Sequence, residues 1–556
     1  MGDQERTENR IGGSALQPSR TYNRINHTHF YAAVPAPYKQ YYEQFVRNWF
    51  EWYDGYVHWF HQPSNEGIFS TRLAYTVAHK LAKHIAGGRT LFDDGGETHE
   101  SVIKADDGRE LSPLEYTKKW WEENRGNGKI VQALSWALAG GDSVLKLDQE
   151  RGEATLGVVR KDNYFLDTDV FGNVTKFTTL IYHMVRKNVG ERGQDEHYYI
   201  MEERRYNEET GEPEWRFTLK KGEAHGVSYK SVSFHSGDMN FRDLTKGKRD
   251  ELKRLFPYMK PNDWGKWLEL PFKDLGIYLL KASERVSFQP SLPFGESIFS
   301  GAIHLLMSYD FYYSAKNTDM YIGRGRVLLP RGMENPNHSQ YSAYGELERL
   351  FYEKVHYANP EDQTPTPVQF DLRADSWTEI RDNLLQELAM VVGVNPRTIG
   401  SFVVPSAEKP TAHEISTDEH ETAIFVEEKR DLNEPQLNKL LEAMLDYYGC
   451  EDKVLIKFSR KGLQNPNTIV NHLASLKQYD MIDTKTALEM YFPDKTEKQI
   501  AQMLKRIKEE KGNKQQQAPP YQERNMDTRN DPLEREEQGY NRSPAHTEAP
   551  NDENEG

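Results

Sequence analysis

The stretch TAHEISTDEHETA, residues 411–423, gathers two histidines and a run of carboxylates, the residue types that bind metal ions. A helical zinc hydrolase needs His-Glu-x-x-His, two imidazoles one turn apart with the glutamate as base. Thr417 stands where the second histidine belongs. His413 and His420 are seven residues apart, roughly 10 Å along a helix, too far for one ion. A plainer reading covers more of the residues. Thr411-x-x-Glu414 has the form of a capping box, and Glu414, Asp418, Glu419 and Glu421 lie near the positive end of a helix dipole. The stretch therefore reads as a helix start. A metal-dependent nuclease stays as an alternative that needs other ligands.

Other chemistry-bearing patterns fall short in the same way. RGNGKI (125–130) resembles a phosphate-binding loop, but Glu123 replaces its first glycine and Ile130 its Ser/Thr. GRGR (323–326) is a Gly-Arg turn with no helix directly after it, and Gly-x-Ser-x-Gly is absent. No pair of carboxylates stands out from a solvated surface. On these residues an enzyme is unsupported though not excluded, and neither a cofactor nor a resident metal is expected.

The elements that must carry any function are numerous. The chain has 556 residues, enough for several domains, and a formal net charge of −15. That balance argues against a protein whose main task is gripping nucleic-acid backbone. Cys450 is the single cysteine, so neither an intrachain disulfide nor a Cys-rich zinc site is available. No apolar run is long enough to span a membrane, and the charged start MGDQERTENR does not read as a signal peptide. Gly2 is followed by Arg6 where a myristoylation signal has Ser or Thr. These features predict a soluble, cytoplasmic, non-secreted protein.

Residues 1–36 read as a loose arm. Phe45, Trp49, Trp52, Tyr56 and Trp59 then recur at three- and four-residue steps, and Phe69, Leu73, Val77, Leu81 and Ile85 sit four apart before Gly87-Gly88. His79 and His84 in that second helix read as surface or helix-end residues. DSVLKLD, KFTTLIYHMV, HYYIMEERRY and WRFTLK read as strands, with a turn at EETGEPE. ESIFSGAIHLLMSYDFYYSAKN reads as a helix with the stripe Ile298, Ala302, Leu305, Tyr309 and Tyr313. A small insert follows: a strand at GRGRVLLPRG, a short helix at YGELERLFYEKV and an extended piece at TPTPVQFDLRAD. A second helix carries Trp377, Ile380, Leu384, Leu388 and Val391 and stops at Gly393. A helix kinked at Pro435 runs from 411 to about Tyr448, VLIKFSRK reads as a strand, and Thr496-x-x-Gln499 opens a helix striped by Ile500, Met503, Leu504 and Ile507. From about 511 the composition predicts disorder.

The order helix, β-α-β insert, helix, loop, kinked helix resembles the portal proteins of tailed bacteriophages. The resemblance rests on ALAGGDSVLKLD, DNYFLDTDVFGNVTKF, PFGESIFSGAIHLLM, LLQELAMVVGVNPRTIG and the segment NPNTIVNHLASLKQYDMIDTKTALEMYFPDKTEKQIAQMLKRIKEE, spread over residues 40–510. It implies an α+β portal fold of wing, stem, clip and crown around a central channel, mainly helical with a β-rich wing. The parts would be a flexible arm at 1–36, wing 37–295, stem helix 1 at 296–320, clip 321–372, stem helix 2 at 373–393, tunnel loop 394–410, kinked wing helix and strand 411–459, crown 460–510 and disordered tail 511–556.

The same resemblance implies a function. Twelve copies would form a ring at one capsid vertex, through which double-stranded DNA is packaged and ejected. Partners would be the terminase large subunit, which holds the ATPase, then a head-completion or adaptor protein, with major capsid and scaffold proteins around the ring. The location would be the virion, after assembly in the host cytoplasm, with no membrane. Phe402, Val403, Val404 and Pro405 would form an apolar constriction in the channel and Lys409 a phosphate contact. Arg324, Arg326 and Arg331 would dock a partner or DNA at the clip, or form a solvated turn. A minor head or scaffold-type structural protein is the other class with this acidity and helix content.

Overall fold

The computed structural model describes residues 34–55, 68–87, 90–93, 102–104, 110–150, 152–169, 173–186, 196–225, 231–234, 240–256, 259–289, 291–322, 326–330, 352–355, 366–368, 373–400, 412–458, 466–479, 481–492 and 497–516. The chain divides into two compact units, 1–469 and 470–556.

The first unit opens with α1 (Ala36–Tyr41), a π-helical turn (Tyr42–Val46) and α2 (Arg47–Asp54), closed by Gly55. The wider π turn shifts the phase of everything after it. The buried set is therefore Tyr41, Tyr42, Val46, Trp49, Phe50, Trp52 and Tyr53, while Phe45 is only half-buried. Tyr56 and Trp59 lie outside the described residues. In α3 (Leu73–Ala86) Val77, Leu81 and Ile85 are buried as their spacing predicts. Phe69 is not part of that stripe. The helix starts only after Arg72, which takes a left-handed φ of 54°, and Phe69 is 54% exposed.

Next come β1 (Thr90–Asp93), β2 (Ile103–Lys104), β3 (Glu110–Leu111), α4 (Pro113–Glu123) and α5 (Gly126–Gly140). Ser112 and Glu115 complete a reciprocal capping box on α4. RGNGKI forms the entry to α5.

The expected strands are among β4 (Asp142–Glu150), β5 (Glu153–Arg160), β6 (Tyr164–Thr168), β7 (Val174–Arg186), β8 (Glu196–Tyr206), β9 (Pro213–His225) and β10 (Ser231–Phe234). A 3-10 turn, Lys161–Asn163, joins β5 to β6. After α6 (Lys246–Leu255) come β11 (Leu268–Glu269) and β12 (Ile277–Lys281). One antiparallel sheet runs β10-β9-β8-β7-β6 with β11 on β9, and a second runs β12-β4-β5. A buried ionic chain joins them. Lys146 of β4 pairs with Glu202 of β8 at 2.6 Å, and Arg204 pairs with Glu202 and Asp148 and donates to the carbonyls of Leu147 and Leu275.

β5 is an edge strand, and at Ala154 and Leu156 its outward backbone groups are occupied by side chains. The Tyr448 hydroxyl accepts from the Ala154 N–H at 3.0 Å, and Trp120 Nε1 donates to the Ala154 carbonyl at 2.6 Å. Asn124 Oδ1 accepts from the Leu156 N–H at 2.9 Å, and Lys129 Nζ donates to the Leu156 carbonyl.

The helix expected from residue 296 is α7 (Ile303–Ile322). The preceding residues are turns because their polar groups bond elsewhere: Ile298 N–H donates to the Leu138 carbonyl of α5 at 3.0 Å. The insert contains β13 (Arg326–Pro330), β14 (Tyr352–Val355) and β15 (Thr366–Val368) in the order β14-β13-β15. β13 and β14 are parallel, a pairing that requires a long crossover between them. Tyr352–Val355, the end of the expected short helix, are strand, and aromatic and β-branched residues suit that ladder. The rest of that helix expectation lies outside the described residues.

α8 (Ala374–Val392) ends at Gly393 in the left-handed region, as the sequence indicates. Its buried face is Leu385, Leu388, Ala389 and Val392, rotated from the expected stripe, so Ile380 and Val391 are exposed. α9 (Pro396–Ile399) is a single turn, and α10 (Ala412–Tyr447) passes through Pro435 without a break. Thr411 of the supposed capping box lies outside the described residues. β16 (Leu455–Phe458) pairs antiparallel with β1.

Beyond it lie α11 (Pro466–Gln478), α12 (Thr484–Tyr491) and α13 (Glu497–Gln516). Asp483 caps α12 by accepting from the Thr486 N–H at 2.7 Å. On α13 Ile500 is buried and Met503, Leu504 and Ile507 are half-buried, the side their spacing predicts. α13 extends past 511, where composition pointed to disorder, because Lys and Gln hold a helix well. Residues 517–556 lie outside the described set. Among the described residues no helix is long and apolar enough to cross a membrane.

Candidate functional site

α7 and α8 lie side by side in opposite directions. Near the end of α7, Asp319 accepts from Arg373 Nη2 at 2.7 Å and from Trp377 Nε1 at 2.8 Å. At the other end, the turn at Gly301 faces Val391. Both helices carry exposed apolar side chains. Met307, Phe311, Tyr313 and Met320 are exposed on α7, and Ile380, Met390 and Val391 on α8. Met390 is 76% exposed, and Ile424 of α10 is 57% exposed. Ile424, Met390 and Val391 line one cleft of about 710 Å³ with Phe425, rimmed by Glu296, Glu421 and Glu428.

The helix pair is fastened to the rest of the unit at two places. On α7, Asp310 is 2% exposed and accepts from the backbone N–H of Thr71 at 2.9 Å and from its hydroxyl at 2.6 Å. Ser314, one turn on, accepts from the Phe69 N–H at 2.9 Å. These bonds hold residues 69–71 extended along α7 and explain why α3 starts late. Burial pushes the Asp310 carboxyl above its usual range, and the Thr71 bonds oppose that shift.

The second fastening is a fully buried ion pair. Lys161 and Asp142 are both 0% exposed at the side chain, with Nζ 2.8 Å from Oδ1. Tyr164 donates its hydroxyl to Asp142, and the Gly295 N–H donates to Asp142 Oδ2 at 3.0 Å. The Tyr41 hydroxyl donates to the Gly295 carbonyl at 3.1 Å. The ammonium sits 3.3 Å from the centroid of Phe294, with the rings of Tyr41, Tyr42 and Tyr164 around it. Burial pulls the Lys161 pKa down to about 8, against the opposing pull of Asp142. Thus GGDSV of β4 and PFGES before α7, two stretches that carry the resemblance, meet in space.

The predicted site residues fare unevenly. Phe402, Val403, Val404, Pro405 and Lys409, between α9 and α10, lie outside the described residues, as do Arg324 and Arg331. Arg326 opens β13, its backbone opposite Val368. His420 is exposed on α10, and the side chain of His413 is not among those described. Among the described residues no three His, Cys, Asp or Glu groups cluster as a metal site. Sequence reasoning missed Asp142, Lys161 and Asp310. The signal is faint: Asp142 and Asp310 are single charges inside otherwise uncharged segments, and Lys161 is hidden between the charged neighbours Arg160 and Asp162.

A family model described as "Phage portal protein, SPP1 Gp6-like" matches residues 98–517. The chain belongs to this phage portal protein family. The match spans the Lys161–Asp142 pair, Asp310 and Ser314, the α7–α8 pair, the three-stranded insert and α11–α13, and it leaves Phe69 and Thr71 outside. Among solved structures, the portal chain is similar to one described as the neck of an empty GTA particle computed with C6 symmetry, at 11% identity and TM-score 0.37 over 76% of this chain and 90% of that one. It is also similar to one from the virion of a native gene transfer agent (GTA) particle, at 11% identity and TM-score 0.34 over 80% and 92%. A third, the neck of the native GTA particle computed with C12 symmetry, has 13% identity and TM-score 0.33 over 77% and 90%. No curated protein matches the chain.

Proposed function

We propose that this portal-family chain assembles into a twelve-membered ring whose channel carries double-stranded DNA into and out of a capsid. The observation that carries the reading is the set of exposed apolar side chains on α7 and α8 within a chain of this family. The side chains that α7 and α8 expose differ, which suits a head-to-tail contact that closes into a ring. In this reading α7 and α8 are the stem, the β13–β15 insert is the clip, and α11–α13 are the crown. Segment 394–410 is the tunnel loop, where Phe402, Val403, Val404 and Pro405 form an apolar constriction and Lys409 touches phosphate. The clip, with Arg324, Arg326 and Arg331, receives the terminase large subunit and then a head-completion or adaptor protein. Capsid and scaffold proteins surround the ring at the virion vertex, after assembly in the host cytoplasm. The chain itself does no catalysis.

The test is native mass spectrometry with negative-stain imaging. Twelve copies of a 64.6 kDa chain give about 775 kDa and a visible central hole. A chain that stays monomeric even with its scaffold protein present refutes the reading. Deleting 401–407 is expected to leave the ring and impair DNA packaging or retention. Loss of the ring instead would make that segment structural.

A further inference from the structure

A second, smaller hydrophobic core lies on β8 and β9. Tyr198, Ile200, Phe217 and Leu219 of the sheet pack under Phe241, Leu244, Leu252, Phe256 and Met259, with Trp264 against Phe241 and Phe256. The covering segment, residues 240–267, departs from the charge of the whole chain. It has eight Lys/Arg against four Asp/Glu, in a protein with 71 against 86. The apolar side chains face the sheet, and the outer surface carries six exposed cations: Arg242, Lys246, Lys253, Arg254, Lys260 and Lys266. The carboxylates exposed with them are Asp243 and Asp250. Lys253, Arg254, Lys260 and Lys266 make no ion pair among the described residues.

We infer that this surface binds the phosphate backbone of duplex DNA without sequence preference, apart from the channel. The choice of DNA over an acidic protein comes from what accompanies the cations. No large hydrophobic side chain is exposed among the described residues of 240–267, although such residues are exposed on α7, α8, α10, α11 and α12. A protein partner is normally held by buried aromatic or aliphatic anchors, whereas a polyelectrolyte needs only unpaired charge. Lys253 and Arg254 also complement the dipole at the end of α6, but that role leaves their charged ends free for phosphate. The inference rests on the portal reading only in taking DNA to be present beside the ring.

The experiment uses the full chain and a covalently closed circular duplex, which cannot thread a closed channel. Binding is measured from 50 to 200 mM salt for the wild type, for Lys253→Ala/Arg254→Ala/Lys260→Ala, and for the control Lys80→Ala/Lys83→Ala/Lys118→Ala, which loses equal charge elsewhere. The wild type and the control are expected to bind alike. The first triple variant should bind about tenfold more weakly, with a slope of log affinity against log salt shallower by roughly 2 to 3. Equal binding by both triple variants, no wild-type binding at 50 mM salt, or tight binding of poly-glutamate in place of DNA would each overturn it. Native mass of the same samples reads ring formation separately. DNA binding without a ring would refute the portal assembly and leave this surface assigned, and a ring without DNA binding would do the reverse.

Discussion

Gly141 and Gly295 meet backbone to backbone, so that a Cβ on either would overlap the carbonyl of the other. Gly141 also has a φ of 93°, which L side chains rarely adopt. This contact lets the Gly295 N–H reach Asp142, so it precedes the ion pair in the logic of the fold. Gly141→Ala is expected to lower stability by about 2–4 kcal/mol from strain and overlap together. Denaturant unfolding measures it; a loss under half a kilocalorie would mean that the joint can shift at little cost.

The Lys161–Asp142 pair should behave as a unit. Lys161→Met or Asp142→Leu alone leaves one charge buried without a counter-charge and should cost about 3–5 kcal/mol. The double variant should cost much less than the two single losses together. Strict additivity in a double-mutant cycle would show that the two charges are not coupled.

The pH dependence of the same pair has a definite sign. In the fold Lys161 releases its proton near pH 8, while the unfolded chain holds it to about 10.5. Between those values the unfolded state binds more protons, so stability rises with pH. Tyr41 and Tyr164 are pushed well above their usual range by burial, so the unfolded chain gives up their protons first, and the opposing fall in stability near pH 10.0 is shared by Lys161→Met. Lys281 is lowered by burial as well, so the comparison must be made against Lys161→Met. The wild type should gain on that variant from pH 8 to 10; a decline would reverse the assignment.

Arg430 of α10 closes the end of α3. It is 1% exposed, and it donates to the Ile85 carbonyl at 2.9 Å and the His84 carbonyl at 3.1 Å, while pairing with Glu427 at 3.0 Å. Arg430→Met should cost roughly 2–3 kcal/mol, with faster amide exchange in the last turn of α3. Lysine should not restore it, because a point charge cannot serve three acceptors in a plane.

Met390→Glu with Ile424→Glu tests the assembly surface. Both residues are exposed in the single chain, so its folding should barely change, within about 0.5 kcal/mol. Native mass should shift from ring to monomer. A ring of full size would place the subunit contact elsewhere.

Strands β4, β7, β8 and β9 were legible because β-branched and aromatic runs, and in β9 alternation, are local properties. The stop at Gly393 was legible for the same reason. The phase of α1 and α2 was not, since the π turn at Tyr42–Val46 has no sequence mark. The rotated face of α8 could not be read either, because Ile380 and Val391 are as apolar as Leu385 and Val392. An apolar residue facing a neighbouring subunit and one facing the core look alike in a sequence. Asp310 and Lys161 stayed hidden because their partners, Thr71 and Asp142, lie 239 and 19 residues away. The family resemblance was readable through the order of elements, although its glycine motifs acquire a physical reason only where Gly141 meets Gly295.

The plugged margin of β5 bears on how such chains meet at high local concentration. An open strand edge accepts any other strand, in any number and register, and so leads to fibres. At Ala154 and Leu156 the donors and acceptors that would recruit a stranger are already engaged by Tyr448, Trp120, Asn124 and Lys129. At those positions association is left to side-chain surfaces, which fit in few ways and can be undone and retried. The monomer thus closes this stretch of its own edge, with four side chains in the places another strand would need.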